Sequence, residues 1–310
     1  MMMLKTIQCS CCRQTAVHAL ASVATIYVFL AMCSIAFAEE TKPTFRTDKN
    51  QDKNLPWYQP VKGTFPPAGS AHYIKGELIW VDHAERELHI RVDRDDTQGR
   101  AVWDLPLLLT MLPYGSIEYN GQPAALQDIP LGTHLHTWCY PKDPEDDRPP
   151  VARWHNRISP ESDFRQCIRI EDDFSYHALR KEIWRVDEVD HEALKLTATL
   201  MKDDQPDGDT RLFDLLGSTV VYKGNGFGTL ESIRPGQLVR MNLTWVTLYG
   251  PGRVFHIWLD EGSRKLAASR QLWRHRDHIR QRGIPGWIDA VDDKGSTVTV
   301  SFFDGIDMSL

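Results

Sequence analysis

From His72 onward, apolar and polar side chains alternate in short runs that are broken by turn residues. "YIKGELIWVD" (Tyr73–Asp82) and "RELHIRVD" (Arg86–Asp93) flank "HAE", and a period of two is that of half-buried strands, so the pair reads as a hairpin. "LRKEIWRVD" (Leu179–Asp187) and "ALKLTATLM" (Ala193–Met201) flank "EVDHE" in the same way. "LTWVTLY" and "VFHIWL" flank "GPGR" (Gly250–Arg253), whose Gly-Pro-Gly cannot continue a strand. The helical period stands out once, in "SRKLAASRQLWRHRDHIRQR" (Ser263–Arg282), with Leu266, Trp273 and Ile279 as the side expected against a barrel.

The pattern is written twice. "SIEYNGQPAALQDIPLGT" (Ser116–Thr133) and "TVVYKGNGFGTLESIRPGQ" (Thr219–Gln237) share Tyr119/Tyr222, Gly121/Gly224, Leu126/Leu230, Ile129/Ile233 and Gly132/Gly236. Asn120–Gly121 suits the positive φ angles of a tight turn, and the Leu-x-x-Ile tucks two apolar side chains inward before the next strand. The element therefore reads as a corner of the fold. Val81-Asp82, Val186-Asp187 and Val291-Asp292 each close a first strand, 105 residues apart, and the last opens only a hairpin, "GWIDAVDDKGSTVTVSFFDG".

Five or six short strands per unit with no βαβ alternation point to small closed barrels. "GELIWVD…LPYGSIEYNG…LQDIPLGT" and its second copy resemble the OB-like barrels of uncharacterised secreted bacterial proteins, over roughly residues 72–260. The expected class is therefore all-β, tandem OB-like barrels with one connecting α-helix. The expected organisation is a signal peptide (1–38), a flexible linker (39–70), a first barrel (71–175), a second (176–261), a basic connector helix (262–283) and a partial third repeat (284–310).

Lys5 and Arg13 precede an uncharged, largely apolar stretch ending in "AFA" (Ala36–Ala38), the small-x-small pattern of a cleavage site. An uncleaved anchor is the alternative, and either places the body outside the cytoplasm, in the periplasm, on the envelope or secreted. Losing Lys5 and Arg13 but none of the 42 acidic residues moves the net charge from −6 to −8, which disfavours nucleic acid as a partner. An anionic envelope polymer, a lipid headgroup or another envelope protein fits better, with membrane contact only through an uncleaved N-terminus. No cofactor is expected.

"THLHTWCY" (Thr133–Tyr140) puts His134, His136, Trp138 and Tyr140 on one face of a strand and Leu135, Thr137 and Cys139 on the other. The second copy, "QLVRMNLT", matches the latter face with Val239, Met241 and Leu243, so the His-His-Trp-Tyr face points away from the core. Cover by the long insertion Pro141–Asp163 is the first reading, and a ligand face is the second. Two alternate imidazoles are also compatible with a metal, but no third ligand can be named from sequence. On the helix, a connector whose cations meet the acidic barrels is the first reading, and Arg274, Arg276 and Arg280 as contacts for an anionic ligand are the second. Cys139 and Cys167 are placed to pair across the insertion, although the parity of their strands disagrees unless a bulge intervenes. "DDQPDGDTRLFD" (Asp203–Asp214) only partly imitates a calcium loop and reads as a hairpin loop. The doublets Asp95-Asp96, Asp172-Asp173, Asp203-Asp204 and Asp292-Asp293 leave a hydrolase of a cell-envelope polymer as the alternative to a binding or scaffolding protein.

Overall fold

Why the chain writes the same corner twice is answered by how each copy closes. The computed structural model describes residues 55–93, 106–148, 152–153, 157–158, 164–246 and 252–303. The expected signal peptide (1–38), the part 39–54 of the expected linker and the doublet Asp95-Asp96 lie outside these residues. The first unit contains β1 (His72–Asp82), β2 (Glu87–Val92), β3 (Leu107–Tyr119), β4 (Gln122–Pro123), β5 (His134–Pro141), the two-residue strands β6 (Ala152–Arg153) and β7 (Arg157–Ile158), and β8 (Phe164–Asp172). The order β2-β1-β5-β8-β3, with β3 pairing back to β2, closes a five-stranded barrel in which β3 and β8 run parallel. After the helix α1 (Asp173–Leu179), the second unit repeats the plan with β9 (Glu182–Asp190), β10 (Lys195–Lys202), β11 (Gln205–Lys223), β12 (Gly226–Phe227), β13 (Leu238–Thr244) and β14 (Gly252–Trp258). Its order β10-β9-β13-β14-β11 closes through β10–β11, again with one parallel pair. The chain is therefore a tandem of small OB-like barrels, joined by α2 (Glu261–Arg282) to a hairpin of β15 (Gly286–Asp292) and β16 (Thr297–Phe302).

Closure depends on the repeated corner. Gly132 N–H donates to Leu78 O (2.7 Å) and Leu78 N–H to Thr133 O (2.9 Å); Gly236 with Val186 (2.7 Å) and Val186 with Gln237 (2.8 Å) repeat the pair. The glycines sit at φ 90° and 85°, where a Cβ is strained, and Ile129 and Ile233 fill the core beneath them. The bonds also correct the register of the repeat. Leu78 matches Val186, so Asp82, Asp190 and Asp292 are equivalent, rather than Asp187 standing in the middle. Each accepts backbone N–H bonds two and three residues on, and the fourth residue on has positive φ: Arg86, Leu194 and Ser296. The even 105-residue spacing is thus a coincidence of sequence, and the middle strand runs three residues further than its Val-Asp suggests.

Each repeat ends in a helix capped by an aspartate that also ties down the corner. Asp172 accepts from Ser175 N–H (2.9 Å) and Asn120 N–H (3.2 Å); Asp260 accepts from Ser263 N–H (2.8 Å) and Gly224 N–H (2.8 Å). The alternation pattern did not predict α1, because seven residues hold too few apolar positions to show a helical period. Along α2 the buried residues are Ser263, Gln271, His275 and Ile279, whereas Trp273, expected inward, is 66 % exposed. The helix docks by hydrogen bonds instead: Gln271 donates to Pro123 O and to Asp128 in the first barrel, and Arg264 to Leu238 O in the second. Asp260→Ala is expected to cost about 1–2 kcal/mol, the usual worth of a helix N-cap, and urea unfolding would read it. A change within 0.3 kcal/mol would show that solvent replaces the cap.

Residues 55–70 form no strand or helix but lie against the first barrel. Trp57 packs on His72 (4.6 Å), and Ser70 hydrogen-bonds Tyr140 (3.0 Å). The third hairpin pairs only with itself among the described residues. It rests on the first barrel through Trp287, which meets Phe65 (4.5 Å) and Tyr114 (5.2 Å). Asp203 and Asp204 form the tight β10–β11 turn, both at positive φ, as a hairpin loop requires. No helix among the described residues is long and apolar enough to cross a membrane.

Candidate metal centre between the barrels

The face of β5 that turns away from the core is the face on which the second barrel docks. His134 and His136 are 2 % and 5 % exposed, and Tyr140 is 1 % exposed. Cover does not come from the described part of the insertion, whose Arg148 pairs with Glu87 and whose Asp146 pairs with Arg165 (3.2 Å). It comes from α1 and β13 over the histidines, and from residues 55–70 over Tyr140. Asn242 on β13 donates to Asp172 (2.7 Å) and accepts from Phe174 N–H (2.8 Å), while Leu243 N–H donates to Asp173 Oδ2 (2.9 Å). Two outward faces thus meet across one turn of helix.

Asp173 is the first residue of α1, so the cap at Asp172 aims its carboxylate at β5. Its Oδ1 lies 2.8 Å from His134 Nδ1 and 3.0 Å from His136 Nε2. The other ring nitrogen of each histidine is held from behind. His134 Nε2 lies 3.1 Å from Asp93 Oδ2, and His136 Nδ1 lies 2.5 Å from the Tyr73 hydroxyl. Tyr176 of α1 stacks on the His136 ring at 3.7 Å. The group faces a cavity of about 240 Å³, walled on the far side by Trp184, Phe213 and Met241 of the second barrel, with the His177–Glu182 pair (2.9 Å) at its edge.

Electrostatics assign the protons. Burial alone would lower the His134 pKa, but the facing carboxylates of Asp173 and Asp93 outweigh it and raise it to about 10. Burial pushes His136 down to about 3, aided by the charge on His134 and opposed by Asp173. Burial would raise both aspartates, yet His134 beside them holds Asp93 below and Asp173 well below the ordinary carboxylate value. Without a metal the group is an imidazolium between two carboxylates, with a neutral His136 that donates from Nε2 to Asp173 and accepts at Nδ1 from Tyr73.

His134, His136 and Asp173 also form a three-donor set whose ligand atoms lie within 4.8 Å of one another. Around a tetrahedral ion with bonds of about 2.0–2.2 Å, ligand atoms stand roughly 3.3 Å apart. Two of the three edges, 2.8 and 3.0 Å, need to open by only a few tenths of an ångström, and the third, between His134 Nδ1 and His136 Nε2, is at most 4.8 Å. Asp173 is the third donor that the sequence left unnamed. Its doublet with Asp172 was visible, but only the fold brings it to β5. Tyr73 was equally legible as an outward residue of β1, yet its partner follows from the β1–β5 pairing.

The remaining expected residues do not join this group. Trp138, half-buried, stands beside Tyr73 (5.3 Å) and under the guanidinium of Arg180 (5.6 Å). Arg274, Arg276 and Arg280 are on α2, and Arg274 lines a separate cavity. Cys139 and Cys167 are register partners, both buried and both free. A register shift between Trp138 and Cys139 turns both thiols inward, which resolves the parity conflict by the bulge it required. In the doublets Asp172-Asp173 and Asp292-Asp293, the first aspartate bonds backbone amides.

No protein-family model matches the chain, and no curated protein matches it. Among solved structures it is similar to a Trp-to-Ala variant of CusF from Escherichia coli with Cu(II), at 15 % identity. The match covers 26 % of this chain and 90 % of that one, with a TM-score of 0.19, which is too low to carry a ligand or an activity across.

Proposed function

We propose that this protein is an exported, envelope-associated binding protein of tandem OB-like barrels, and that the ligand between its barrels is a divalent transition-metal ion. One observation carries the reading: two histidines and an aspartate converge, each with its other polar atom held by a partner behind it. Asp93 stands behind His134, Tyr73 behind His136, and Leu243 N–H behind Asp173. Outer partners that fix ring orientation are what separate a built metal site from a chance cluster. The N,N,O donor set suits zinc, cobalt or nickel better than calcium or magnesium, which prefer oxygen alone. Three protein ligands beside a cavity leave a fourth position for water or a small ligand. The export address rests on "AFA" and the basic residues before it; the wall of aromatic and apolar residues supports binding rather than a cleft with two free acids.

Titrating chelator-treated protein with Co²⁺ should give one equivalent bound and the visible absorption of a four-coordinate ion. His136→Ala should weaken binding at least tenfold while His278→Ala, on α2, leaves it unchanged. Zn²⁺ should raise the melting temperature of the wild type and not of the His136 variant. No stoichiometric binding, or equal binding by both variants, would remove the metal and leave the group as a purely structural ion network.

A further inference from the structure

The two Tyr-x-Gly corners that close the barrels come together at a second cavity, which shares no lining residue with the one beside the His–Asp group. It has a volume of about 350 Å³, within the range of small-molecule sites, and α2 forms its third wall. Tyr119 and Asn120 come from the first corner, and Tyr222, Gly224 and Phe227 from the second.

Three features of its lining point to one ligand chemistry. The first is charge: two arginines outnumber Asp128, the acid in the lining, whose Oδ2 already accepts from Ala125 N–H and Gln271. Arg270 and Arg274, one helical turn apart on α2, both line the cavity and make no hydrogen bond or ion pair with another described residue. Paired guanidinium groups match a carboxylate in geometry as well as sign. The second is an aromatic ledge. Tyr222 stacks on Trp258 (5.1 Å, 11° between planes), and Phe227 beside it (5.5 Å) is 77 % exposed. A large exposed aromatic at the lip of a cavity offers a face to a flat apolar surface of a ligand. The third is a pair of buried polar atoms without a partner among the described residues, Asn120 Oδ1 and His256 Nδ1, both on residues of the lining. Burial lowers the His256 pKa to about 4, so the ring is neutral and adds no charge.

Asn120 Oδ1 only accepts hydrogen bonds, so a ligand satisfying it must carry donors as well as negative charge. Sulfate brings acceptors only, and inorganic phosphate, although it keeps an O–H donor near neutral pH, has no flat apolar face to lie on Tyr222 and Phe227. A ring with a flat C–H face, hydroxyl donors and a carboxylate meets all three features. We propose that this cavity binds an acidic saccharide, a uronate residue of an extracellular or envelope glycan. The carboxylate lies against Arg270 and Arg274 and the ring face on Tyr222 and Phe227, and the hydroxyls reach Asn120 Oδ1 and His256 Nδ1 once a turn of those side chains uncovers the two atoms. The corner is then repeated for closure and used a second time for recognition, since only the joint of two barrels brings Tyr119 and Tyr222 to one cavity.

The test is calorimetric titration of the purified protein with a trigalacturonate, its methyl ester and ADP. Binding of the acid with at least tenfold weaker binding of the ester supports the proposal. Arg270→Gln with Arg274→Gln should weaken the acid at least tenfold. Phe227→Ala, which removes an exposed side chain and so spares the fold, should weaken acid and ester alike. Arg280→Gln is the control and should change nothing. The His134–His136–Asp173 group is intact in every variant, so failure here leaves the metal reading standing. No binding of the acid, equal binding of acid and ester, tighter binding of ADP than of the acid, or indifference to the Arg270 and Arg274 changes would each overturn the acidic-saccharide site.

Discussion

Asp173→Ala is expected to lower the unfolding free energy by about 3–5 kcal/mol, the cost of removing one partner from a buried ion pair. Asp173 is 4 % exposed and receives three bonds, from His134, His136 and Leu243 N–H. Its loss strands a buried imidazolium on Asp93 alone and frees a backbone donor of the second barrel. The variant should also separate the barrels early, since one oxygen faces β5 and the other β13. Urea unfolding followed by tryptophan fluorescence would show a lower midpoint, and a second transition if the barrels part. A loss under 1 kcal/mol would mean that water enters the group and screens it.

The same difference should depend on pH with a definite sign. The folded pKa of His134, about 10, stands above its ordinary 6.5. Its contribution is therefore complete below about pH 6.5 and disappears as pH rises towards 10. Asp93 and Asp173 are depressed, so their contribution is present above the ordinary carboxylate value and is lost as pH falls below it. The gap between wild type and Asp173→Ala should be widest between about pH 4 and 6.5 and narrow by pH 10. A gap that is flat across this range would show that the variant acts through packing alone.

Gly76→Ala should be comparably damaging for a purely steric reason, costing about 3 kcal/mol or more. An added Cβ would lie 2.5 Å from Arg91 O and 2.9 Å from both Arg91 C and Val92 Cα. All three are backbone atoms of the partner strand, so no side chain can move aside and β1 must part from β2. Arg91 would be displaced with them, and it pairs with Glu77 (2.5 Å) and stacks on Trp245 of the second barrel (3.8 Å). Gly217→Ala, where the added atom meets nothing within 4 Å, is the control and should be near neutral. Equal stability of the two variants would mean that the β1–β2 pairing is looser than its register suggests.

Alternation along the chain determined the strands, and the repeated Tyr-x-Gly…Leu-x-x-Ile…Gly element determined that there are two barrels. Both are local: a strand's period and a glycine's positive φ are properties of a few consecutive residues. The inward face of β5 was equally legible, because Leu135, Thr137 and Cys139 match Val239, Met241 and Leu243. The register of the repeat was not, since Val186-Asp187 imitates the Val-Asp of the other copies three residues too soon, and only the Leu78 and Val186 bonds set it right. What covers His134 and His136 was decided by tertiary structure. A side chain's period says which way it points, not what arrives there, and α1 and β13 arrive from 37 or more residues away. Asp173 and the joint cavity of Tyr119 and Tyr222 exist for the same reason. For the His–Asp group the first repeat supplies the donors and the second barrel the far wall, and only the packing of the two barrels brings them, and the two corners, together.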